Sequence, residues 1–158
     1  MSRFYLNKRM AIIRVAAPFA NMLAPTQAEL TTGGAVNIVG AQGQEELEDI
    51  QGLILEPSDL PMPGYADITV PTLPGPQTFA SSVLSFYEDD TLKPIETMFA
   101  DASTGFLAVC RQGLGAALQV TTFGYQVGSN VPRPDRSVVA IFDVNLSITS
   151  MDKDGVQT

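Results

Sequence analysis

The stretch "SVVAIFDVNLSIT" (137–149) decides the fold class. Val138, Ala140, Phe142, Val144, Leu146 and Ile148 fall on one side, and Asp143, Asn145 and Ser147 on the other. That alternation is the period of a strand with one face in the core. Working backwards, "GSNVPRPDR" (128–136) reads as a turn, and "ALQVTTFGYQV" (117–127) as a strand that sets Leu118, Val120 and Thr122 against Gln119, Thr121, Phe123 and Tyr125. "TGFLAVCRQ" (104–112) is a further strand. "SSVLSFYEDD" (81–90) is another, with Leu84 and Phe86 opposite Val83, Ser85 and Tyr87, running into three carboxylates.

Between these strands, "DDTLKPIETMFADAS" predicts a helix with an apolar stripe of Ile95, Met98, Phe99 and Ala102, with Asp90 or Thr91 as its N-cap and Pro94 in its first turn. Nearer the start, "MAIIRVA" (10–16) is strand-like, and "APTQAELTTGG" (24–34) is a short helix stopped at Gly33 or Gly34. "AVNIVG" (35–40) is a short strand, and "LEDIQGLILEP" (47–57) reads as one strand. Residues 56–77 hold six prolines, Pro57, Pro61, Pro63, Pro71, Pro74 and Pro76. Proline lacks the N–H of a central strand, so this is a long loop or extended edge segment of the kind that makes contacts. Residues 1–9 read as an exposed arm and 150–158 as a polar tail. The 158 residues suggest a single β-rich domain, and eleven Pro and thirteen Gly favour many short elements joined by turns.

Charge is unevenly placed. Residues 1–14 carry Arg3, Lys8, Arg9 and Arg14 and no acid; residues 15–92 carry eleven Asp and Glu and no Lys or Arg. With a formal charge of −8, the chain lacks the clustered cations of a general nucleic-acid surface. Arg14, Pro18 and Asn21 interrupt the early apolar stretch, which speaks against a cleaved signal, and no apolar run reaches the length of a membrane span. There is no histidine, and the single Cys110 sits in an apolar run, so neither a nucleophile–base pair nor a thiolate metal cluster is expected. "GGAVNIVG" has no phosphate-loop pattern. The clusters Glu45, Glu46, Glu48, Asp49 and Glu88, Asp89, Asp90 lie at loops or element ends without a marked apolar pocket. No catalysis, cofactor or metal is expected.

The ordered series "APTQAEL", "LEDIQGLILEP", "ITVPTLPGPQTFASSVLSFYED", a short helix, "TGFLAV" and "AIFDVNLSIT" resembles the major tail tube proteins of long-tailed, siphovirus-type bacteriophages, especially those of actinobacterial phages. In that family's glycine–threonine–aromatic strand position this chain has Ser103-Thr104-Gly105-Phe106. The resemblance covers about residues 24–149; the basic N-terminal segment departs from it. It implies a mainly β fold, a β-sandwich or partial barrel with a short flanking helix, a long loop and terminal arms. It also implies hexameric rings, stacked into a tube whose lumen carries DNA without specific binding. Assembly would take place in the host cytoplasm, with a tape measure protein, a terminator and distal tail or baseplate proteins as partners and no membrane. On that footing Arg3, Lys8, Arg9, Arg14, Pro61, Pro63, Tyr65, Pro71 and Pro74 become expected contact residues. Glu45, Glu46, Glu88 and Asp89 become expected rim or lumen charges, and Asp90 a helix cap. A tube protein of a contractile injection system, a tail terminator ring, a β-sandwich binding module and a carboxylate-dependent hydrolase are the alternatives. Oligomeric state separates them.

Overall fold

A computed structural model describes residues 10–39, 47–53, 55, 56, 59–61, 72–88, 92–133 and 140–158. In chain order the elements are β1 (Ala11–Val15), α1 (Gln27–Thr31), β2 (Val36–Asn37), β3 (Leu47–Gln51), β4 (Leu55–Glu56), β5 (Asp59–Pro61), β6 (Thr72–Pro74), β7 (Thr78–Phe79), β8 (Ser82–Tyr87), α2 (Pro94–Met98), β9 (Thr104–Cys110), β10 (Gln119–Pro132) and β11 (Ile141–Val156). β2, β1, β9, β10, β11, β8 and β3 form one seven-stranded sheet in that order, with every neighbouring pair antiparallel.

The long β10–β11 pair is the spine. It runs from Gln119↔Val156 to Pro132↔Phe142, with register shifts between Val120 and Thr122, Gly124 and Tyr125, and Val127 and Ser129. Such irregularities add twist and bend a strand, and here the sheet curls. One face closes on itself: Ile12 of β1, Leu84 and Phe86 of β8, Phe123 and Tyr125 of β10, and Phe142 and Val144 of β11 share one core. Ile95 and Phe99 of α2 join it, and Phe86 stacks against both Phe99 and Phe142 at 5.9 and 5.5 Å between centroids. The other face of β1, β9 and β10 is also buried. Ala11, Ile13, Ala108, Cys110 and Val120 pack under Phe19 and Leu30, the latter on α1. The uninterrupted apolar runs "AIIRV" and "FLAVC" are the sequence sign of strands covered on both faces.

α1 forms because Thr26 and Glu29 make a reciprocal capping box, with Glu29 N to Thr26 Oγ1 at 3.2 Å and Thr26 N to Glu29 Oε2 at 2.8 Å. Gly33 and Gly34, both at positive φ, follow its end as expected.

Several sequence expectations are corrected. The polar segment 150–158 is not a free tail: β11 continues through it to Val156, where Gly155 and Val156 pair with Val120 and Gln119. Aspartates and a glycine disfavour strands on their own, but the paired β10 backbone overrides them. "GSNVPRPDR" is not all turn, since β10 extends through Pro132. "LEDIQGLILEP" is not one strand: Gly52 (φ 82) and Leu53 (φ 58) take left-handed backbone and separate β3 from β4. Asp90 does not cap α2, whose N-cap is Lys93 with Pro94 at the first helical position. A residue before proline is pushed out of helical conformation, so the helix starts at Pro94. It ends at Met98, and Ala102, at φ 62, lies outside it. Asp90 and Thr91 lie outside the described residues. The proline-rich segment is partly regular: β5 pairs β6 with Pro61 opposite Thr72 and Pro74 opposite Asp59, and β4 pairs β7.

Candidate assembly surfaces

The long hairpin has two chemically different ends. At the end where β11 begins, Ile141 pairs Tyr87, and Glu88 N donates to Ala140 O at 2.9 Å. Lys93 Nζ reaches Glu88 Oε1 at 3.4 Å and Glu96 Oε2 at 2.9 Å. The bond to Glu96 above all, then that to Glu88, holds the ammonium above the ordinary lysine range. Asn130 ties this corner to β10: its N donates to Asp101 Oδ1 at 2.8 Å, and its side-chain amide approaches the carbonyls of Glu96 and Phe99. Leu92, just ahead of α2, is 63% exposed, and Val131 is 49% exposed.

Beside that corner Arg133 grips Asp143 with two bonds, Nε to Oδ2 at 2.7 Å and Nη2 to Oδ1 at 2.8 Å. Ser85 Oγ donates to Asp143 Oδ1 at 2.7 Å and accepts from Arg133 Nη2 at 2.9 Å. This accounts for a serine buried in β8 on the face opposite Leu84 and Phe86. The Arg133 guanidinium, then the Ser85 hydroxyl, hold the Asp143 carboxyl below the usual aspartate range against the opposing effect of burial.

At the opposite end, the curled sheet is open. A concavity of about 550 Å³ lies between β3 and the ends of β1, β9, β10 and β11. Met10, Ile12, Leu53 and Phe123 provide an apolar lining, and Arg111 and Lys153 stand beside them. A smaller hollow of about 410 Å³ continues along β3, between Leu47, Ile50 and Val39. The C-terminal residues close the neighbouring corner: buried Gln157 donates to Gly113 O at 2.9 Å and accepts from Gln27 Nε2 at 3.0 Å and Gly115 N at 3.1 Å.

The expected contact residues divide. Arg14 is engaged inside the chain, donating from Nε to Tyr125 Oη at 3.0 Å and from Nη2 toward Met98 O at 3.5 Å. It shares the inner face of β1 with Ile12, and this placement corrects its expected role as a contact residue. Pro61 and Pro74 lie on the paired β5 and β6. Glu88 is half-buried beside Lys93 rather than a free charge. Arg3, Lys8, Arg9, Glu45, Glu46, Pro63, Tyr65, Pro71, Asp89 and Asp90 lie outside the described residues. Arg133, Asp143, Arg111 and Lys153 escaped sequence reasoning, because paired or converging charges far apart in the chain leave no local pattern.

Among the described residues no group of three or more acids or cysteines is placed to hold a metal ion. Cys110 is buried, and burial pushes its thiol up to about 11, away from nucleophilic chemistry. The surfaces offer open edges, a charged corner and an apolar hollow, which suits association better than turnover.

Comparison with known proteins agrees. A family model described as phage tail tube protein matches residues 1–158. Among solved structures, the chain is similar in fold to one in "Cryo-EM structure of the anti-feeding prophage (AFP) baseplate, 6-fold symmetrised", with a TM-score of 0.53 and 14% identity over 96% of both chains. A search of curated protein sequences gives no match.

Proposed function

The chain belongs to the phage tail tube protein family and is a structural component of the virion tail, and from that premise we propose that it assembles into stacked hexameric rings lining a channel for DNA. The match of the family model to the whole chain carries this reading. The geometry supports it. β3 ends the sheet on one side and the short β2 on the other, so strand edges remain for neighbouring copies to pair. The role is structural and non-catalytic, and the phage type it fits is the siphovirus type. The chain is taken as a single tail-tube domain over residues 1–158, with residues 1–9 as an arm.

The β5–β6 pair is proposed as the arm that reaches the adjacent ring. Prolines at 61, 63, 71 and 74 stiffen it, which lowers the ordering cost of docking. The basic residues Arg3, Lys8 and Arg9 act as a second arm against acidic surface, and Tyr65 as a contact at the tip of the first. Glu45, Glu46 and Asp89 supply negative charge along the channel or its rim, which repels the phosphate backbone and lets DNA slide. A tape measure protein, a terminator and distal tail proteins are the partners, met in the host cytoplasm during assembly.

Negative-stain electron microscopy of the purified protein tests the reading. Hollow tubes or stacked rings are expected as concentration rises. A dispersed monomer at every concentration, with tape measure protein added or not, overturns it. Single rings that never stack favour the terminator instead.

A further inference from the structure

We propose that the open hollow at the Arg111–Lys153 end receives the Leu92 corner of a second copy of this chain, making one heterologous contact that sets the direction of stacking; this rests on the ring-stacking reading above.

The two surfaces lie at opposite ends of the molecule. Leu92 precedes α2, which is tied through Lys93 and Glu88 to the start of β11. Lys153 lies near the far end of β11, about 40 Å along the strand from Ile141 at ~3.4 Å per residue. Arg111 follows directly on the last residue of β9, which pairs with the first residue of β1. A copy translated along the hairpin therefore brings its Leu92 corner toward the hollow.

The chemistry matches. The hollow has an apolar lining of Met10, Ile12, Leu53 and Phe123, and its only charged lining residues are Arg111 and Lys153, both exposed. Asp152 and Asp154 alternate with Lys153 along the strand, so they face away from the hollow, toward the Thr122 side that bonds Met22. The opposing corner presents an apolar residue at 63% exposure with Glu88 and Glu96 nearby and Lys93 as the one described cation between them. In sequence Asp89 and Asp90 add to its negative charge. An apolar knob with an acidic surround fits an apolar hollow with a cationic rim. The reverse pairing, hollow to hollow, sets like charges together and is disfavoured. A surface and its complement at opposite ends build an open stack, whereas a self-complementary patch builds a closed dimer.

The test compares Leu92→Asp, the double variant Arg111→Glu/Lys153→Glu, and wild type, by analytical ultracentrifugation and negative-stain microscopy. All of these positions are exposed, so the variants should fold, with circular dichroism as the check. Both variants are expected to form rings but to need at least about tenfold more protein to stack, since a buried leucine contributes at least that factor to association. The pair Leu92→Cys/Lys153→Cys, oxidised in tubes, is expected to give a ladder of linked chains, with neither single variant doing so. Tubes of wild-type length from both charge variants, or no ladder from the cysteine pair, overturn this contact and leave the ring reading standing. Wild-type protein that never forms rings overturns both.

Discussion

The Asp143 carboxylate is held by two bonds from Arg133 and one from Ser85. Because its pKa is lowered in the fold, its contribution to stability is present above the ordinary aspartate value of about 4 and is lost as pH falls below it. Arg133 is exposed enough for solvent to screen the pair, so Asp143→Asn should cost only about 1 kcal/mol at neutral pH. Urea denaturation at pH 7 and again near pH 3 should show the gap between variant and wild type closing in acid; a constant gap would place the effect elsewhere. A different constraint acts at Gly105, directly opposite Tyr125 across β9 and β10. A Cβ there would lie 2.6 Å from Tyr125 Oη and 2.9 Å from its ring, in a position where Arg14 already fixes the phenol. Gly105→Ala should therefore destabilise by roughly 1–3 kcal/mol, the usual cost of overpacking a filled core. Thermal unfolding reads it directly, and an unchanged Tm would mean that the ring can move aside. Neither pair was legible in the sequence: Asp143 reads there as an outward strand residue and Gly105 as part of a family pattern, and their partners are distant in the chain.

At the level of elements, period-2 alternation located β8, β10 and β11, because one core-facing side must be apolar at every second residue. It named Leu84, Phe86, Phe142, Val144 and Leu146 correctly as core. It failed where pairing or backbone geometry dominated side-chain pattern. The end of β11 is polar yet paired, and β3 stops at a left-handed Gly52 inside an otherwise apolar run. α2 shrank because one proline fixed its start. The C-terminal segment illustrates the energetic side. Gln157 is buried and makes three side-chain hydrogen bonds that join α1, the loop before β10 and the end of β11. Gln157→Ala leaves Gly113 O and Gly115 N without these partners, at a cost of about 2 kcal/mol. Removing residues 151–158 also deletes the ladder opposite Gln119, Val120 and Thr122 and should prevent folding. A truncated chain with native circular dichroism and cooperative unfolding would return this segment to the status of a tail.

On the scale of the whole molecule, a curled sheet with open edges must exchange its exposed backbone groups for those of neighbours or cover them. The family match and the similar fold in a six-fold symmetrised assembly place this chain among proteins of phage tails. The sequence carried that much because an ordered set of short motifs tracks the order of strands. It carried the assembly surfaces poorly, since hollows and corners arise only when β3, β9, β10 and β11 come together. The arm offers a test at this scale. β5 and β6 pair over only three positions, with Pro61 and Pro74 within them, so the stiffness of the arm depends on proline as much as on its ladder. Replacing Pro61 and Pro74 by Gly frees backbone in the undocked state at roughly 0.4–1 kcal/mol per residue. That penalty falls on docking rather than on the main core, so thermal unfolding should change little while the concentration needed for stacking rises severalfold. Because each ring docks through every one of its arms, the losses accumulate, and tubes at fixed concentration should shorten markedly in electron micrographs. Tubes of unchanged length from the double glycine variant would show that this segment does not bridge rings, and the contact would then have to be carried by the N-terminal arm or by the hollow itself.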